Sequence, residues 1–82
     1  MNLTPIKANM TELELTNGIL ILFSYKTPVA LVEPDGYFYR TSKFWSRTTS
    51  RHINQWFKQW DAEIRPIEKP QEFFDTFIKG VK

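Results

Sequence analysis

The stretch "RTTSR", Arg47–Arg51, sets two guanidinium groups on either side of three hydroxyls, just ahead of an apolar-periodic segment. A helix start exposes unpaired N–H groups and a partial positive charge, so cations are locally unfavourable there and an anion is welcome. A phosphate or carboxylate held among Arg47, Thr48, Thr49, Ser50 and Arg51 would resolve that conflict. In the competing reading Arg47 lies outside the helix, Arg51 points into water and a threonine simply caps. The dipole penalty for one exposed cation, about 0.3–1 kcal/mol, is too small to choose between the two. Arg40 and Lys43 lead into this stretch and Lys58 follows it, while Tyr39, Trp45 and His52 could offer stacking faces to bases. Tyrosines such as Tyr37 and Tyr39 serve more often as cross-strand pairs in a hairpin.

Catalysis and metal binding lack constituents. His52 is the sole histidine, so any acid–base role rests on it, and it falls on the flank of an apolar stripe where structural histidines are the commoner kind. One histidine, no cysteine and no clustered carboxylates cannot make a typical metal site. Each of the three glycines is explained by a turn or a helix end, which leaves no phosphate-cradling loop. No enzymatic activity, metal or cofactor is expected.

Charge supplies the remaining functional signal. From Gly36 to Trp60 there are five basic residues, Arg40, Lys43, Arg47, Arg51 and Lys58, and no acidic one. The rest of the chain carries six basic residues against all nine carboxylates, so a net charge of only +2 hides a basic middle. Such asymmetry prompts a nucleic-acid or acidic-protein partner, although five cations also suit an ordinary solvated face. At 82 residues with 41% hydrophobic and 16% aromatic content the chain is expected to form a single domain over 1–82. Without cysteine it must rest on apolar packing, in keeping with a reducing compartment. "MNLTPIKANMTELEL" has no leader pattern and "GILILF" is too short to span a bilayer, so a cytoplasmic, membrane-free protein is expected.

The elements that must position these residues are short. "TELEL", "NG" and "ILILF" predict a hairpin with a two-residue turn at Asn17 and Gly18, placing Leu15 opposite Leu20 and Leu13 opposite Leu22. Glu12 and Glu14 then share a solvent face, and Ile19, Ile21 and Phe23 require the returning strand to be central or covered. "TPVALV", "EPDG" and "YFYRT" predict a second hairpin through a type I turn with glycine in the left-handed position. Ile53, Trp56, Phe57 and Trp60 fall at helical spacing with Thr48, Thr49 or Ser50 as cap, and their stripe reads as core. "AEIRPI" alternates like an edge strand because Pro66 lacks a donor. "PQEFFDTFIKG" predicts a closing helix with the apolar row Phe73, Phe74, Phe77 and Ile78. The expected architecture is a small α+β domain in the order ββββαβα, an antiparallel meander sheet of four to five strands packed with two short helices.

The strings "LFSYKTPVALV" and "YFYRTSKFWSRTTSRHINQW" resemble a segment shared by small uncharacterised proteins of bacteriophage and mobile-element genomes. Tyr25, Thr27, Pro28, Tyr39–Thr41, Trp45, Ser46, Thr48–Ser50, His52–Asn54 and Trp56 carry the resemblance, which covers the middle half of the chain. It implies an origin, with action in a host cytoplasm, and no mechanism. The sequence therefore points to a small non-catalytic binding module whose residues 37–58 contact nucleic acid. The alternative is an accessory factor that inhibits or redirects a host protein through exposed aromatics, and an edge strand would also permit a homo-oligomer.

Overall fold

A computed structural model describes residues 2–7, 9–60 and 65–79. Five strands come first: β1 (Asn2–Lys7), β2 (Met10–Glu14), β3 (Leu20–Ser24), β4 (Thr27–Val32) and β5 (Phe38–Thr41). Helix α1 (Arg47–Phe57) follows and tightens into a 3-10 turn over Lys58–Trp60. Strand β6 (Ile67–Lys69) and helix α2 (Gln71–Lys79) complete the chain. The strands form one six-stranded sheet in sequence order, antiparallel from β1 to β5, with β6 parallel to β5.

The sheet is therefore larger than the expected meander and is mixed. The parallel pair has a simple cause: after β5 the chain crosses the sheet through α1, and a strand returning from a helical crossover runs in its predecessor's direction. β1 has no clear sequence signal because Pro5 interrupts it, yet an edge strand tolerates proline, and β1 is an edge. β6 forms the other edge immediately after Pro66, which agrees with the edge reading of that proline. The part of "AEIRPI" before Arg65 lies outside the described residues.

The first hairpin differs from expectation by one residue. Gly18 N–H donates to the Leu15 carbonyl and Leu15 N–H to the Ile19 carbonyl, so the loop holds three residues, with only Gly18 at positive φ (+89°). Asn17 Oδ1 accepts from the Ile19 N–H, 3.2 Å, which stabilises the longer turn. Leu13 thus opposes Ile21 and Glu12 opposes Leu22, and a one-residue slip of this kind exchanges the two faces. The second hairpin forms as read: Gly36 N–H donates to Glu33 O, Glu33 N–H to Tyr37 O, and Gly36 has φ +97°.

Both faces of the sheet are covered, giving three layers. On one face Met10, Leu22, Val29, Ala30 and Val32 pack with Ile53, Trp56 and Phe57 of α1. A bulge between β3 and β4 lets the consecutive residues Val29 and Ala30 share that layer. On the other face Leu13, Ile19, Ile21 and Leu31 surround Phe74 of α2. β3 is apolar on both faces because helices cover both, as the run "ILILF" requires. The exchanged register also moves the carboxylates: Glu12 faces α1, where its Oε1 accepts from Trp56 Nε1 at 2.9 Å, while Glu14 stays exposed.

Candidate functional site

α1 starts one step earlier than the hydroxyl run suggests. Ser46, extended at φ -170° and ψ 167°, is the cap, and its Oγ accepts from Thr49 N–H at 3.1 Å. Arg47 is consequently the first helical residue rather than a loop residue, and the first turn contains no acid to balance it. Thr48 is exposed on the helix flank, whereas Thr49 turns inward and is buried. Neither caps, because the helix starts at Arg47 and both already lie inside it.

Thr49 joins a buried polar chain. Its Oγ1 lies 3.0 Å from Ser24 Oγ, which lies 2.8 Å from His52 Nδ1, and Ser46 Oγ donates to Thr49 Oγ1 at 3.3 Å. A serine hydroxyl on a histidine nitrogen has the geometry of an activated nucleophile. Here, however, Ser24 is 2% and His52 5% exposed, so the pair is closed to solvent and joins β3 to α1. His52 is accordingly withdrawn from the stacking role its position suggested; the Tyr25 ring lies 6.1 Å from its own. Replacing His52 by Ala should cost about 1–3 kcal/mol, since it removes a buried side chain and breaks the buried bond from His52 to Ser24. Urea unfolding followed by tryptophan fluorescence measures this, and a loss below about 0.5 kcal/mol would show the network to be dispensable.

The outward face of α1 collects the cations. Arg47, Ser50, Arg51, Asn54, Gln55 and Lys58 line an open depression of about 660 Å³ that Phe44 borders, and no carboxylate among the described residues contributes to it. Phe44 is 70% exposed. Four of the residues singled out by sequence, Arg47, Ser50, Arg51 and Lys58, are thus brought together.

The others are not. Tyr39 points to the opposite face of the sheet, its ring 5.3 Å from Phe73 of α2. Desolvation, followed by a hydrogen bond with Glu33, raises its phenol above the ordinary value, so the group stays neutral at physiological pH. Trp45 is half-exposed but tethered: its Nε1 donates to Gln71 Oε1 at 3.0 Å, and Lys43 Nζ sits 4.0 Å above its ring. The same Gln71 oxygen accepts from Thr41 Oγ1, and Gln71 Nε2 donates to Pro28 O, so this cluster belongs to the start of α2. Arg40 is half-buried on the sheet, with its Nε buried and without a hydrogen-bond partner among the described residues.

Phe44, Asn54 and Gln55 are the members that sequence reasoning missed. Asn54 was recoverable from helical spacing, since 47, 51, 54 and 58 fall on one side of a 3.6-residue helix. Nothing in "KFWS" separates the exposed Phe44 from the tethered Trp45, because the difference depends on Gln71, 26 residues away.

No helix among the described residues is long and apolar enough to cross a membrane. The described residues also contain no group of three or more metal-ligating side chains. Neither a curated protein nor a solved structure matches the chain. Residues 1–76 match a family of unknown function, DUF8033, and with nearly the whole chain covered the protein belongs to that family.

Proposed function

We propose that this protein is a small non-catalytic module that binds nucleic acid through the outward face of α1 and Phe44. The observation that carries the reading is the composition of one surface: Arg47, Arg51 and Lys58, with amides and a serine between them, an exposed aromatic at the margin and no acid among the described residues. Clustered cations without counter-charges repel one another and release bound counterions when they meet phosphates, which favours a polyanion as occupant. The phage and mobile-element resemblance, with a host-cell cytoplasmic setting, fits a role of this kind.

Titrating labelled DNA and RNA with the protein and following anisotropy tests the proposal. If each of the three cations meets one phosphate, the affinity should fall with a log–log salt slope of about -2.7, or about 40-fold between about 50 and 200 mM salt. Binding that ignores salt, or no binding at the lower salt, would sink it.

The exposure of Phe44 favours one second reading, an acidic protein surface with Phe44 as its anchor. Under that reading Phe44→Ala is more damaging than loss of any single cation, and nucleic acid does not compete.

A further inference from the structure

Arg47, Arg51, Asn54 and Lys58 are all exposed, and at about 100° per residue they fall within about 60° of arc. From the first to the last the helix rises about 16 Å, the length of four to five base-pair steps at about 3.4 Å each. Thr49, His52, Ile53, Trp56 and Phe57 occupy the opposite face and are buried, so α1 lies on the sheet and presents a polar ridge outward. The ridge carries the two side-chain types with direct readout geometry. Arginine is bidentate to the guanine O6 and N7 acceptors, and asparagine to the adenine N6 and N7 pair, both in the major groove of B-form DNA.

The fates of the aromatic residues argue against the other nucleic acids. A single-strand groove needs successive stacking platforms, yet His52 is buried, Tyr39 is on the far face and Trp45 already carries Lys43. Tyr25 and Tyr37 are exposed but do not line the depression, where Phe44 is the aromatic beside the cations. An A-form RNA duplex has a major groove too deep and narrow for side chains to read. The B-form groove, about 12 Å wide, admits one helix.

Resting on the nucleic-acid reading above, we infer that α1 enters the major groove of duplex DNA, with Arg51 and Asn54 meeting base edges and Arg47 and Lys58 meeting flanking phosphates. Phe44 then supplies an apolar contact of the kind thymine methyl groups accept.

Selection from a randomised DNA duplex pool of about two helical turns, using the full chain, tests the inference. A motif of about two to three base pairs should emerge. The selected duplex should bind at least about 10-fold more tightly than a scrambled duplex, its own separated strand or an RNA duplex of the same sequence. Asn54→Ala should lose about 10-fold on the selected duplex and relax the preference at one position. Lys58→Ala should weaken selected and scrambled duplexes by the same factor and lower the salt slope by about one.

Equal binding of single strands or RNA, a pool without enrichment, or an Asn54→Ala loss equal on selected and scrambled DNA would each overturn groove readout. The proposed binding surface would survive those three results. Absence of binding to every probe at about 50 mM salt would overturn that surface as well.

Discussion

Arg47→Glu combined with Arg51→Glu is expected to weaken nucleic-acid binding by about 100-fold or more at low salt and to flatten its salt dependence by at least about one phosphate contact. Both side chains are exposed and both line the groove on α1, so reversal replaces two attractions with two repulsions without touching the core. The same substitution should not harm the fold. Arg47 is the first residue of a helix whose first turn holds no acid, and a glutamate there meets the positive end of the helix dipole, for a gain of about 0.3–1 kcal/mol.

Loss of binding with equal or greater stability is a combination that misfolding cannot imitate. Lys43→Glu serves as the control. Lys43 sits over Trp45, outside the residues that line the groove, and should change affinity by no more than about twofold at a salt concentration where the Debye length is about 8–10 Å. Undiminished binding by the double variant, or an equal loss from Lys43→Glu, would refute this placement of the interface.

Phe74→Ala is the substitution expected to cost the most stability, about 3–5 kcal/mol. Phe74 is 0% exposed and sits among Leu13, Ile19, Ile21 and Leu31, with Phe73, Phe77 and Ile78 half-buried at the margin of that cluster. Phe74 is therefore the α2 side chain most deeply set in the sheet. A domain of this size has about 4–12 kcal/mol of stability in all, so the variant should be severely weakened or unfolded near physiological temperature.

The effect should extend to the loop before α1, because Gln71 at the start of α2 bonds Trp45, Thr41 and the Pro28 carbonyl. Urea unfolding with tryptophan emission reads both consequences. A loss below about 1 kcal/mol would mean that α2 is held by something other than Phe74. Phe74→Leu keeps most of the volume and should cost less than the alanine variant.

Several features were legible in the sequence because each is decided within a few neighbouring residues. Asp35 and Gly36 specify a turn by local backbone preference, and Gly36 takes the positive φ that the turn needs. The stripe Ile53, Trp56, Phe57 specifies a helix face, and all three are buried. "PQEFFDTFIK" announces α2 by its proline, its early acid and its apolar row. The basic character of the candidate site was likewise visible, since three of its cations fall within twelve residues of one another and α1 gathers them.

Other features required partners remote in the chain. "NG" is compatible with a two- or a three-residue loop, and the choice decides whether Leu13 or Glu12 faces α2. β1 becomes a strand only because β2 offers it an edge, and β6 runs parallel only because α1 intervenes. The aromatics of residues 37–58 were sorted in the same way: Tyr39 to one face by the pleat of β5, His52 inward by Ser24, Trp45 sideways by Gln71, and Phe44 left in the open. Local propensity sets turns and helix faces over about four residues, whereas register and side-chain partnership are set by contacts that exist only once the sheet has closed, which is why the cations could be read from sequence and their neighbours could not.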